Sequence, residues 1–314
     1  MENNTTVILC QMSYRDITPI TRHILGIAFI FSSIFASIGN LISLAILLKP
    51  SMRTKCNKIL SSLVVSDAFV GVFLCPFLAS QLLSDELFKS CKVELVKSIM
   101  APWMGATSGM SMALIGYDRY VMLSSFNNYD DRLSRGKINL LILSAWLLPF
   151  LMIMTVFVSR LLFVACLTIL AFIPLIVTVV SYYSVVKYVK KNSFHFTNDD
   201  EQNTRRKEQN KKLVQKLSFL VFCYVACLLP LTSAFFYEIF TRVLKKERTI
   251  AHQTLTIFGI YAGLLNSVLN PIIYVSKFPE MKKEFYKMFG IRSNAVSNGV
   301  TSSKQTTSEA VSGN

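Results

Sequence analysis

A chain of 314 residues in which 52% are hydrophobic and only 16% charged cannot cover a water-soluble fold, since soluble domains carry about 25% charged residues. The 33 Lys and Arg against 18 Asp and Glu leave a net charge of +15, which in a soluble protein would point to nucleic acid. In a membrane protein the same excess follows from basic loops on the inner side, so the partner is a lipid membrane and nucleic acid is set aside.

The N-terminal segment, residues 1–23, holds the overlapping sequons Asn3-Asn4-Thr5 and Asn4-Thr5-Thr6, which make Asn3 and Asn4 candidate glycosylation sites on an extracellular segment. Seven apolar runs follow, each near the roughly 20 residues needed to cross the hydrocarbon core: Ile24–Leu48, Ile59–Leu83, Val93–Leu123, Ile138–Val158, Leu161–Val189, Val214–Phe240 and Ile250–Val275. The first is long enough to span the membrane and stay, and a long polar stretch precedes it, unlike a cleaved signal. The fold expected is an all-α membrane protein, a seven-transmembrane-helix bundle over residues 24–275.

With the N-terminus outside, most basic residues fall in cytoplasmic loops, among them Arg53, Lys55, Arg132, Arg135, Lys190, Lys191, Arg205, Arg206, Lys211, Lys282 and Lys283, as the positive-inside rule requires. Residues 190–213 form the longest internal polar stretch, a third cytoplasmic loop that continues the fifth and sixth helices. One outer loop departs from the rule: Arg242, Lys245, Lys246 and Arg248 follow the sixth helix, as a solvated loop or as a docking patch for an acidic ligand. After the seventh run, residues 276–290 contain Met281, Phe285, Met288 and Phe289 on one face and Lys282, Lys283 and Lys287 on the other, the pattern of an amphipathic helix lying in the interface. Residues 291–314, rich in Ser, Thr and Asn, read as a disordered cytoplasmic tail.

Polar groups inside a bilayer need a partner or a purpose. Those present are Asn40 in the first run, Asp67 in the second, Ser108, Asp118 and Arg119 in the third, and Asn266, Ser267 and Asn270 in the seventh. Asp67, the only acid deep in an apolar run, is either a protonated carboxyl bonded to a neighbouring helix or the centre of a cation site built with the surrounding oxygens. The seven cysteines show no CxxC or zinc spacing, and His23, His195 and His252 stand far apart in loops or at helix ends. No catalytic constellation is visible, so an enzyme is not expected.

Gly39-Asn40, Asn57 with Leu60, Leu63 and Asp67, Asp118-Arg119-Tyr120, Trp146, Pro174 with Tyr182, Cys227-Leu228-Leu229-Pro230 and Asn270-Pro271-Ile272-Ile273-Tyr274 occur in order, each in its own run. Together they resemble the rhodopsin-like (family A) G-protein-coupled receptors. The resemblance implies a plasma-membrane receptor that passes the binding of an extracellular small molecule or peptide to a heterotrimeric G protein. It places G-protein coupling and activation on Asp118, Arg119, Tyr120, Tyr182, Pro230, Asn270, Pro271 and Tyr274. Asp118 would hold Arg119 at rest, the bends at Pro230 and Pro271 would move, and Tyr182 and Tyr274 would meet near Arg119 through a water. It implies no cofactor, but a sodium ion as allosteric ligand on Asp67, Ser108, Asn266, Ser267 and Asn270. It faces the ligand pocket with Ala101, Gly105, Cys166, Leu231, Phe235, Ile260 and Leu264, small or apolar walls that suit a lipid-like molecule or the apolar part of a peptide. Lys97 above them is a receiver for a carboxylate or an interfacial anchor.

The chain also departs from the family. Leu228 stands where a Trp is usual and Tyr224 where a Phe is usual. Asn210, with Glu208 nearby, replaces the Glu at the base of the sixth helix. Ala101 occupies the position at which biogenic-amine receptors have Asp, so an amine ligand is not expected. The second outer loop is reduced to a few residues around Ser159 and Arg160, and its cysteine is missing. Cys91 lies about one turn before the usual third-helix cysteine position, here Glu94, and either pairs with Cys10 or stays a thiol. The alternative function is an ion-linked transporter or channel, since buried Asp and Asn also line ion pathways; the lack of an internal repeat counts against the inverted-repeat transporters.

Overall fold

The computed structural model describes residues 18–125, 128–193, 201–243 and 250–291. Ten helices account for nearly all of them. These are α1 (Pro19–Leu47), α2 (Lys55–Leu83), α3 (Asp85–Lys89), α4 (Cys91–Ser124), α5 (Tyr129–Arg132), α6 (Arg135–Phe157), α7 (Arg160–Ser193), α8 (Glu201–Val243), α9 (Ile250–Lys277) and α10 (Pro279–Met288). Asn3, Asn4, Cys10 and the tail after Ile291 lie outside the described residues.

The long helices are apolar on both faces, as membrane helices must be. In α1, Thr18 caps the first turn by accepting from the Thr21 backbone N–H, and Pro19 opens the helix. Leu25, Phe29, Ala36 and Asn40 turn into the bundle at helical spacing, while Ile24, Ile27, Phe31, Ile34 and Ile38 face outward and exposed. So large an apolar exterior would aggregate in water and is satisfied by lipid. Six of the helices are long and apolar enough to cross a bilayer: α1, α2, α6, α7, α8 and α9. The remaining long helix, α4, runs through the middle against α2, α6 and α7 and buries Glu94, Lys97, Thr107, Ser108, Ser111 and Asp118. A central helix meets partners on every side, so it can carry polar groups that a lipid-facing helix cannot.

Local chemistry sets several joints. Just past Asp67, α2 widens into a π-helical segment, Val70–Leu74, one turn before Pro76, whose missing N–H breaks the regular ladder. Gly71 in this segment has no side chain because there is no room for one: an added β-carbon would lie 2.5 Å from the backbone nitrogen of Ser37 in α1. Between α6 and α7 only Val158 and Ser159 intervene, so the second loop at that end is a two-residue turn. At the opposite end α7 continues to Ser193 and α8 begins at Glu201, both within the polar stretch 190–213. The amphipathic α10 buries Met281 and ties Glu284 to Lys49 at 2.8 Å, close to the end of α1.

Candidate functional site

Three features line up along α4. In the middle is Asp67, fully buried. Its Oδ1 accepts from the hydroxyls of Ser108 (3.1 Å) and Ser267 (2.7 Å), and its Oδ2 accepts from Nδ2 of Asn270 (2.7 Å). Helices α2, α4 and α9 therefore converge on one carboxylate. Pro271 adds α1 to this knot. It lacks the N–H that would bond the carbonyl of Ser267, and Asn40 donates to that freed carbonyl at 2.8 Å. Gly39 allows the approach, since an added β-carbon would stand 2.9 Å from the Pro271 ring. Asn266 Oδ1 and Asn270 Oδ1 are buried without a hydrogen-bond partner. One carboxylate, two hydroxyls and two unmatched amide oxygens fit a hard monovalent cation. Among the described residues no cluster of three or more His, Cys, Asp or Glu offers a stronger metal site.

Arg119 lies near one end of α4. The Asp118 carboxylate is fully buried but stands 4.0 Å from the guanidinium, at the limit of an ion pair. Its Oδ1 instead accepts from the Tyr129 hydroxyl of α5 at 2.6 Å. Arg119 donates to Cys56 Sγ of α2 and to Met122 Sδ at 3.7 Å. Lys55 locks α5 from the side: it bonds Asp130 and the Leu133 carbonyl and lies 4.8 Å from the Tyr129 ring centre. Asp118 thus keeps an ion-pair contact with Arg119 through Oδ2 while its Oδ1 is taken by Tyr129. Tyr274 is fully buried, and its hydroxyl has no protein hydrogen-bond partner among the described residues. Tyr120 is exposed. The side chains of Asn210 and Glu208 lie outside the described residues.

Toward the other end the helices enclose a cavity of about 180 Å³. Lys97, Ala101, Gly105, Leu231, Phe235, Ile260 and Leu264 all line it, but Cys166 does not; that side chain is a buried free thiol elsewhere in α7. Lys97 is no isolated cation. It donates to Glu94 Oε2 at 2.7 Å, and Gln81 donates to the same oxygen at 3.1 Å, all three side chains being buried. The floor is formed by Tyr224, Leu228, Ser108, Asn266 and Ser267, so the cavity reaches two of the groups that bind Asp67. Cys91 is disulfide-bonded, and five other cysteines, Cys56, Cys75, Cys166, Cys223 and Cys227, are free.

The model of the rhodopsin family of seven-transmembrane receptors matches residues 39–163 and 157–274. The chain belongs to that family. The two matched stretches meet at the turn between α6 and α7, where only two residues join the helices. Similar proteins include "Protein trapped in endoderm-1" of Drosophila melanogaster, 24% identical over 84% of this chain and 77% of that protein. The "High-affinity lysophosphatidic acid receptor" of Xenopus laevis is 24% identical over 88% of this chain and 86% of its own. The "Alpha-2B adrenergic receptor" of Talpa europaea is 32% identical over 38% of this chain and 30% of its own. This is a family of receptors, not of enzymes.

Within this rhodopsin-family receptor, the contacts of Cys56, Gln81 and Tyr129 carry no mark in the sequence runs, since each depends on how two helices face one another. Glu94 and Lys97 had a local signal in their i, i+3 spacing.

Proposed function

We propose that this receptor stands in the plasma membrane with its N-terminus outside, binds a lipid-like ligand or the apolar part of a peptide in the cavity, and activates a heterotrimeric G protein through Arg119. The observation that carries this reading is that cavity, Asp67 knot and Arg119 cluster share one helix, α4, with the cavity floor touching the knot. A ligand that shifts α8 or α9 at the floor changes the packing at both ends of the knot, and such a discrete rearrangement is how a receptor transmits binding. Pro230 and Pro271 break the ladders of α8 and α9 and supply the bends. Gly259 lets α9 come within 2.8 Å of the Leu231 backbone, next to the Pro230 break, as measured to an added β-carbon, so the two helices are coupled where α8 is weakest. Resemblance to a lysophosphatidic acid receptor supports a lipid-like ligand.

Sodium is proposed as an allosteric ligand held by Asp67, Ser108, Asn266, Ser267 and Asn270. When bound it supplies the positive charge that the Asp67 carboxylate otherwise lacks. The hydroxyls of Ser108 and Ser267 can turn to offer oxygen lone pairs, and Asn266 Oδ1 is already unmatched.

The test is guanine-nucleotide exchange on a panel of purified heterotrimeric G proteins, with receptor in lipid nanodiscs, comparing wild type with Arg119→Ala. Exchange in wild type and its loss in the variant are expected. Ion flux through the wild type without exchange would overturn the receptor reading in favour of a transporter or channel.

A further inference from the structure

The charged side chains that line the cavity, Glu94, Lys97 and Glu238, all stand at its outer end, and Gly109, Tyr224 and Asn266 lie at its floor. At 1.5 Å per residue the floor is about 18 Å below Lys97 along α4 and about 21 Å below Glu238 along α8. Two polar atoms of the floor, the Tyr224 hydroxyl and Asn266 Oδ1, have no protein hydrogen-bond partner among the described residues. Their side chains are deeply buried, with exposures of 2% and 4%. Resting on the reading that this cavity is the agonist site, we propose an inner subsite in which Tyr224 and Asn266 recognise a hydroxyl at the buried end of a chain-like ligand. Selection at the floor is then made by hydrogen bonding, whatever head the outer end accepts.

The path to the subsite is apolar. Between the two ends the wall includes Ala101, Gly105, Leu167, Leu170 and Leu228, none of which bonds a polar group through its side chain. Gly105 leaves room for a chain, since an added β-carbon there would meet nothing within 4 Å. One turn further along α4, Gly109 is itself part of the wall, and an added β-carbon would lie 2.7 Å from the Tyr224 hydroxyl oxygen. The hydroxyl therefore stands at the cavity surface, where any larger residue at position 109 would crowd it.

The identity of the inner group follows from what the two atoms lack. A buried donor or acceptor left unpaired is costly. Tyr224 has a proton to give, whereas Asn266 Oδ1 can only accept. A hydroxyl answers each, accepting from Tyr224 and donating to Asn266. A ketone or ether only accepts, and a methyl end does neither. An ammonium only donates and meets no acid among the floor's lining residues, because Asp67 does not line the cavity and its oxygens accept from Ser108, Ser267 and Asn270. A carboxylate meets no cation there. Either ion would be buried without a partner, which is strongly unfavourable. Sodium, as proposed above, takes the same Asn266 oxygen, so the ion and the ligand's hydroxyl exclude one another.

The test crosses ligand and receptor changes on the purified full-length receptor in nanodiscs, with affinity read from melting-temperature shifts over a range of ligand mole fractions. The probes are 1-acylglycerols and 1-acylglycerol 3-phosphates of about 10 to 16 carbons, lengths chosen around the ~18 Å depth. Each chain ends in a methyl, a hydroxyl, an ammonium or a carboxylate, and the two heads keep the comparison independent of the outer end. The hydroxyl-ended chain is expected to bind tightest in wild type. Tyr224→Phe should lower its preference over the methyl-ended chain by about three- to tenfold while affinity for the methyl-ended chain and melting of the free receptor do not fall. That separates recognition from a structural role. Gly105→Leu, which fills the path without meeting backbone, should reduce the same preference. Equal binding of hydroxyl- and methyl-ended chains in wild type, tighter binding of either charged end, a preference undiminished in either variant, or no shift with any probe overturns the proposal. Nucleotide exchange on the same samples reports separately. Selective binding of hydroxyl-ended chains without exchange would overturn the agonist-site reading and leave the subsite standing; exchange driven equally by methyl- and hydroxyl-ended chains would do the reverse.

Discussion

A β-carbon added to Gly109 of α4 would lie 2.7 Å from the hydroxyl oxygen of Tyr224 in α8. The Tyr224 hydroxyl is accommodated by the absence of a side chain at Gly109. The two positions form one packing unit. Gly109→Ala should therefore destabilise the receptor by about 1–3 kcal/mol through overpacking. Tyr224→Phe removes a buried hydroxyl with no partner and should be neutral or stabilising. In the Phe background, Gly109→Ala should cost clearly less, a coupling of about 0.5 kcal/mol or more. A double-mutant cycle on thermal unfolding in nanodiscs checks this, and additive effects would show that the residues do not share the space.

The sequence made the bundle legible because its signals are local. Apolar runs of spanning length report helices directly, and Asp67, Ser108, Ser267 and Asn270 are conspicuous as polar groups in apolar runs, where burial forces them together. Other parts depend on helix rotation. Cys166 is an apolar-run residue like its neighbours, and only the rotation of α7 decides that it faces away from the cavity. Tyr129 lies in a short polar segment that no hydrophobic period describes, yet it takes the Asp118 carboxylate that the motif alone would assign to Arg119. The Glu94 to Lys97 spacing was readable, but that Gln81 of α2 joins them was not.

The Arg119 end should respond to two substitutions with opposite signs. Cys56→Ala removes a group that receives a guanidinium N–H, so Arg119 is freer and agonist-independent nucleotide exchange should rise. Tyr129→Phe removes the competitor for Asp118, so the carboxylate turns to Arg119 and basal exchange should fall. Each change is expected to be roughly two- to tenfold, from about 0.5–1.5 kcal/mol for a hydrogen bond. Burial and then the Asp118 hydrogen bond push the Tyr129 phenol above its ordinary range, so it stays protonated at neutral pH and its effect should not vary between pH 6 and 8 or so. Changes of the same sign in both variants would contradict the competition.

The docking of α10 should depend on acid. The Lys49 ammonium bonds Glu284 at 2.8 Å and holds its carboxyl below the usual carboxylate range. A depressed acid contributes stability above its unfolded pKa, near 4.3, and loses it as pH falls through the lower folded value. A bimane label on α10 should therefore report detachment only below about pH 4, and Glu284→Gln should show a looser α10 at neutral pH without that acid step. An unchanged acid step in the variant would assign it to another group.

Sodium should lower basal nucleotide exchange, and Asp67 should be the reason. The carboxylate is buried with three neutral donors from α4 and α9 and no cationic partner among its bonds. A cation held there must keep Ser108 of α4 and Ser267 of α9 near Asp67 of α2, so it favours the arrangement in which the three helices are drawn together. By linkage it opposes whatever state parts them, and that state is the one proposed to engage the G protein. The expected coupling is about 1 kcal/mol, roughly fivefold in exchange rate. Sodium chloride titrated against N-methylglucamine chloride at equal ionic strength separates the specific ion from screening. Wild type should show the fall with sodium alone, and Asp67→Asn, which keeps the shape but loses the charge, should show none. Identical curves for the two salts in wild type would remove the site.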